Sequence, residues 1–161
     1  MILGLNTETY TLVHVLLSLA GIGSGLVVLL GLFGGRRLDR WTAVFLATTV
    51  ATSVTGFGFP FAHLLPSHIV GMLSLIVLAL AIVARYSFRL RGPWSHVYVF
   101  SAVVALYFNV FVLVVQAFLK VPALKLMAPT QAEPPFVAVQ AIVVVLFVAS
   151  GVLAALRFRA A

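Results

Sequence analysis

Hydrophobic positions in this chain do not alternate with polar ones. They run together in long stretches, separated by short clusters of arginine, glycine and proline. The first stretch, 9–33, carries no charge and ends in Gly34-Gly35-Arg36-Arg37. The next uncharged stretch, from Trp41 to Ala84, is too long for one crossing of a hydrocarbon layer about 30 Å thick. Pro60 and Pro66 interrupt it, which predicts two helices, 41–63 and 68–84, joined by a tight turn at 64–67 with Ser67 as the cap of the second. Gly92-Pro93 marks another turn, and a fourth segment covers 93–119. A connection holding Pro122, Pro129, Pro134 and Pro135 leads to a fifth, 136–156. Each segment has the roughly 17–25 residues or more that a membrane helix requires. The expected architecture is therefore all-α: a polytopic membrane bundle of five transmembrane helices, forming a single integral membrane domain over residues 1–161.

Composition supports the membrane reading. Of 161 residues, 63% are hydrophobic and 8% are charged. A soluble domain carries about 25% charge, so these few could not solvate a globular surface. The first residues carry Glu8 and no lysine or arginine, and the apolar run after them exceeds a secretory h-region, so it reads as a retained span.

The net charge of +7 has a second explanation to exclude, nucleic-acid binding. Eight of the ten basic residues (Arg36, Arg37, Arg40, Arg85, Arg89, Arg91, Arg157 and Arg159) fall in one set of segment ends. That clustering is the positive-inside pattern of membrane proteins, not a groove-like basic face, and it excludes nucleic acid as the partner. It places these ends in the cytoplasm, with the N-terminus outside and the C-terminus inside. The expected location is a bacterial inner membrane, with the lipid bilayer as the principal partner. Lys120 and Lys125 run against the pattern.

Helical spacing sorts the remaining polar residues. His14, Ser18, Gly21 and Gly25 share one face of the first segment. Thr48, Thr52, Thr55, Phe59 and His63 share one face of the second. Tyr98, Ser101, Ala105, Asn109, Val112 and Gln116 form a stripe on the fourth. Glycine pairs of this spacing allow helices to approach closely, and hydroxyl or carboxamide groups can bond across helices. Alternatively, Thr52, Ser101, Asn109 and Gln116, with Gln140 of the fifth segment, line a polar pathway.

Chemistry narrows to the histidines. His14, His63 and His68 all fall at the ends opposite the arginines. His14 and His68 lie near helix N-termini, where the dipole disfavours imidazolium and leaves the neutral ring that binds metals. A haem b held by His14 and His68, or a copper or zinc ion involving His63 as well, is the sharpest expectation. His96 lies apart, at the arginine end of the fourth segment. No cysteine is present, which excludes thiolate sites, disulfides and covalent haem attachment. No Asp, Glu, Lys or Arg lies deep in a span, and neither a phosphate-binding loop nor a catalytic motif appears. Three function classes stay open: a haem- or metal-binding redox or accessory module, a ligand-free accessory subunit beside a membrane-protein partner, and a small-solute carrier or channel formed as a homo-oligomer.

Overall fold

A computed structural model describes residues 2, 4–60 and 66–158, with Pro66 and Ser67 described in backbone only. His63 and Arg159 lie outside these residues. The described chain is helical throughout, with no strand longer than an isolated bridge between Ile2 and Leu5. Its elements are α1 (Thr7–Phe33), α2 (Asp39–Gly56), α3 (Pro66–Ile82) continuing into a π-helical turn (Val83–Ser87), α4 (Trp94–Lys120), a short α5 (Pro122–Met127) and α6 (Pro134–Arg157).

Helix ends follow local chemistry. Asn6 caps α1 by accepting a 2.7 Å bond from the Thr9 amide. At its other end, the Arg36 amide reaches back to the Gly31 carbonyl at 2.8 Å and the Gly35 amide to Leu32 at 3.1 Å. Gly35 takes a left-handed φ of 65° to permit this Schellman closure. Proline opens α3, α5 and α6, where a missing amide hydrogen costs nothing. α3 starts at Pro66, so Ser67 lies in its first turn rather than capping it.

Four helices are long and apolar enough to cross a membrane: Thr7–Phe33, His68–Ser87, Trp94–Lys120 and Pro134–Arg157. The expected second span, 41–63, is shorter than its apolar run implied. α2 ends at Gly56 and a turn carries the chain to Pro60. Its 18 residues include Asp39, Arg40 and five threonines, which dilute its hydrophobicity. The 120–135 connection also departs from expectation. It contains α5 and is tied to α4 by the Gln131 side chain, which donates to the Val115 carbonyl at 2.9 Å.

α4 is the central helix, touching α1, α3, α6 and, at fewer points, α2. α1 packs chiefly on α2, and α2 on α3, so α2 lies between its sequence neighbours. The core is concentrated toward the arginine end: Val28, Leu29, Leu32, Phe45, Leu46, Leu78, Ala81, Tyr98, Ala102, Leu106 and Ala154 are all buried there. Between Gly25, Phe45, Ala102 and Leu106 there is no room for a water molecule.

Glycine sets the spacing of this core. A Cβ on Gly25 would lie 2.6 Å from Leu106 Cδ1 and 2.9 Å from the Phe45 ring, and one on Gly21 would lie 3.1 Å from the Thr49 hydroxyl. The face predicted for α1 is thus a packing face. Gly25→Val is expected to cost about 1–3 kcal/mol through overpacking. Gly23→Ala, two residues away and facing open space, should leave stability unchanged or slightly raised. Thermal unfolding of the two variants in detergent checks the contrast.

Candidate functional site

Two polar centres occupy opposite ends of the bundle. At the histidine end, the C-terminal turn of α2 carries both hydroxyl and aromatic groups. Tyr10 of α1 is buried and donates to the Thr55 carbonyl at 2.7 Å. His14, one turn later and half-buried, has Nδ1 2.8 Å from the Thr55 hydroxyl. That hydroxyl donates back to the Ala51 carbonyl at 2.7 Å, so toward His14 it acts as acceptor. Nδ1 then carries the proton, and Nε2 carries the lone pair. Phe59 closes over both rings, edge-on to Tyr10 at 5.1 Å and to His14 at 5.2 Å.

His68 is buried on the other side of α2, stacked on Phe57 with ring centroids 5.7 Å apart. Phe57 in turn lies against Gly71 of α3. The end of α2 therefore stands between the two imidazoles, each held by a different phenylalanine. Among the described residues no group of three or more histidine, cysteine or acidic side chains forms a metal-ion cluster.

The polar stripe of α4 is engaged in packing. Asn109 donates to the Thr49 hydroxyl at 3.2 Å, beside Gly21. Ser101 is buried. Gln140 of α6 donates to the Phe111 carbonyl at 3.2 Å, and its Oε1 is buried without a partner. Thr52 bonds back to the Thr48 carbonyl at 2.9 Å within its own helix, and Ser53 donates to Ser74 of α3 at 3.2 Å. Gln116 is half-buried on α4. These bonds are what carboxamides and hydroxyls form when no water is at hand.

The second centre was not anticipated by hydrophobic patterning, which reads Arg85 only as a marker of sidedness. Its side chain is 5% exposed and forms an ion pair with Asp39 of α2. Arg85 continues the buried stripe of Leu78 and Ala81 on α3, and its Nη2 also donates to the Arg37 carbonyl at 3.2 Å. The guanidinium carbon lies 5.1 Å from the centre of the Tyr98 ring, a cation–π distance, and the Tyr98 hydroxyl meets Thr42 at 3.2 Å. The loop between α1 and α2, the π-turn and α4 are thereby clasped together. The adjoining backbone is costly: Leu38, Arg89 and Leu90 all have positive φ, at 40°, 51° and 61°. The one signal in the sequence was Asp39, an acidic residue among arginines.

The clasp is asymmetric. Asp39 is 82% exposed, whereas Arg85 is buried with one nitrogen, Nη1, unpartnered. Removing the acid strands a buried charge; removing the arginine leaves an acid already in solvent. Asp39→Asn should cost about 3 kcal/mol, and Arg85→Met markedly less. Denaturation of both variants in the same detergent measures the difference.

At the opposite end, Glu133 precedes α6 and is only partly exposed. What desolvation it has works to raise the carboxyl, but hydrogen bonds from the Thr130 hydroxyl and amide and from the Ala132 amide outweigh it and hold the carboxyl below its usual value. A lowered folded-state value means the loop is stabilised above the ordinary carboxylate range and loses that support as pH falls through the folded value. Amide chemical shifts of Thr130 and Ala132 should follow a single titration below pH 4.5, absent in Glu133→Gln. Comparison of the chain with protein-family models, curated proteins and solved structures finds no match.

Proposed function

We propose that this chain is a ligand-free accessory subunit of a larger assembly in a bacterial inner membrane, docking a partner's transmembrane helix along α6. The observation that carries this reading is the poor burial of α6. Over its 24 residues only Gln140, Gly151 and Ala154 are buried. Its outward face includes Ala138, Ala141, Val145, Val148 and Val152, all exposed. Their spacing of three and four residues makes one seam of alanine and valine, a heptad-like stripe on which another helix can pack. Asn109, Thr52, Ser53 and the Gln140 amide nitrogen are bonded within or between helices, which supports a structural rather than a transporting role.

In this reading α2 crosses the membrane as a fifth span. It is enclosed by α1 and α3 on its flanks, so its threonines meet protein instead of lipid. The arginine end is then cytoplasmic and the histidine end periplasmic, with the N-terminus out and the C-terminus in.

One observation favours a second reading, a haem b or a copper or zinc ion at the histidine end. The Thr55 contact leaves His14 with Nε2 as its lone-pair nitrogen, the form in which imidazole ligates metal while its other nitrogen is held by a neighbour.

One experiment separates the two. The chain is extracted from its native membrane in mild detergent, alone and as Ala141→Trp/Val148→Trp. The accessory reading expects one stoichiometric partner with the native chain and its loss with the double variant, at unchanged thermal stability. A monomer or homo-oligomer in both cases overturns it. An absorption spectrum of the same preparation with a Soret band, abolished in His14→Ala, would establish the haem reading in its place.

A further inference from the structure

The arginine end holds more charge than its own acid can neutralise. Three segments converge there. The Arg37 side chain donates to the Arg89 carbonyl at 3.4 Å, joining the α1–α2 loop to the turn before α4. A Cβ on Gly35 would lie 3.6 Å from the Arg157 carbonyl, so the end of α6 meets the same loop. Arg36, Arg37, Arg40, Arg89, Arg91 and Arg157 are all exposed. The acid here, Asp39, is already paired with Arg85, and the other two acidic residues, Glu8 and Glu133, belong to the opposite end. Buried Arg85 adds a guanidinium whose Nη1 has no hydrogen-bond partner.

Aromatic rings border this charge. Trp41 and Tyr86 are exposed, at 49% and 53%, and Phe88 lies flat on Trp94 with centroids 3.8 Å apart. Aromatic side chains at this level mark the boundary between headgroups and acyl chains. This end thus offers a ligand both guanidinium groups and apolar rings. That combination matches a phosphate attached to an acyl chain.

We propose that the arginine end is a specific binding site for one anionic phospholipid, whose phosphate bridges the α1–α2 loop (Arg36), the first turn of α2 (Arg40) and the turn before α4 (Arg91). The bound headgroup offsets the repulsion among the converging arginines and so stabilises the Arg85–Asp39 clasp. Guanidinium suits the task because its fork binds phosphate oxygens in pairs. The assignment does not depend on what docks against α6, nor on which side of the membrane this end faces.

The test uses the purified full chain in an uncharged maltoside detergent. Thermal unfolding is followed while phosphatidylglycerol, phosphatidylcholine or inorganic phosphate is titrated. Phosphatidylglycerol should raise the transition saturably, and the other two should leave it in place. Each arginine removed should weaken the response about five-fold, so Arg36→Gln/Arg40→Gln/Arg91→Gln should need on the order of 100-fold more lipid. Lys120→Gln/Lys125→Gln, which removes charge from the far end, should respond as the native chain does. Should the triple variant not fold, Arg91→Gln alone carries the five-fold expectation. Equal stabilisation by phosphatidylcholine overturns the proposal, as does an unchanged response in the arginine variants or a lost response in the lysine variant. Stabilisation by millimolar inorganic phosphate would identify a free anion as the ligand and overturn the lipid assignment.

Discussion

Where water is scarce, a polar side chain must find its partner within the protein, and this constraint organises the bundle. The threonines of α2 meet it by bonding back to their own helix, as Thr48, Thr52 and Thr55 do. Others meet it by drawing helices together: Asn109 to Thr49, Ser53 to Ser74, Tyr10 to the end of α2. Such bonds are short-range, so they demand close approach, and Gly21 and Gly25 supply it by removing the side chains that would keep α1 away. Hydrogen bonding and glycine packing are thus two aspects of one requirement. α2 is the helix most dependent on it, because its side chains suit lipid least.

The two ends of the molecule meet the constraint differently. At the arginine end, charge is handled by an ion pair, a cation–π contact and dense apolar packing that excludes water. Toward the histidine end, the middle and far part of α4 is only half-buried, from Tyr107 to Val112 and again from Val114 to Gln116. Polar contacts there are made one at a time between neighbouring helices. The arginine end is the more cohesive part of the fold, since a network with shared members resists local opening better than isolated bonds.

Much of the fold was legible in the sequence. Charge-free runs bounded by arginine and proline locate α1, α3, α4 and α6 to within about two residues at most ends, because the bilayer imposes a length that composition reveals. α2 was overextended, since hydropathy does not register the stop at Gly56-Phe57-Gly58. α5 was missed because six residues fall below the period that pattern reading detects. The packing role of Gly21 and Gly25 followed from spacing alone. The neighbours of His14 and His68 did not, because which helix stands between two others is a property of tertiary arrangement. Arg85 shows the sharpest limit: its helical spacing from Leu78 and Ala81 turns it inward, but only the packed structure brings Asp39, the Arg37 carbonyl and Tyr98 to it.

The π-turn at Val83–Ser87 has a consequence for the helix that contains it. It closes α3: the Phe88 amide bonds to the Val83 carbonyl at 3.0 Å, five residues back, and the next helix begins only at Trp94. The buried run of Leu78, Ala81, Ala84 and Arg85 crosses the join. Leu78, Ala81 and Arg85 are three and four residues apart, so the arginine ends the same inward stripe that the apolar residues begin. Insertion or loss of a single residue between Ala81 and Arg85 would rotate the arginine about 100° off that stripe and exchange a buried charge for an exposed one.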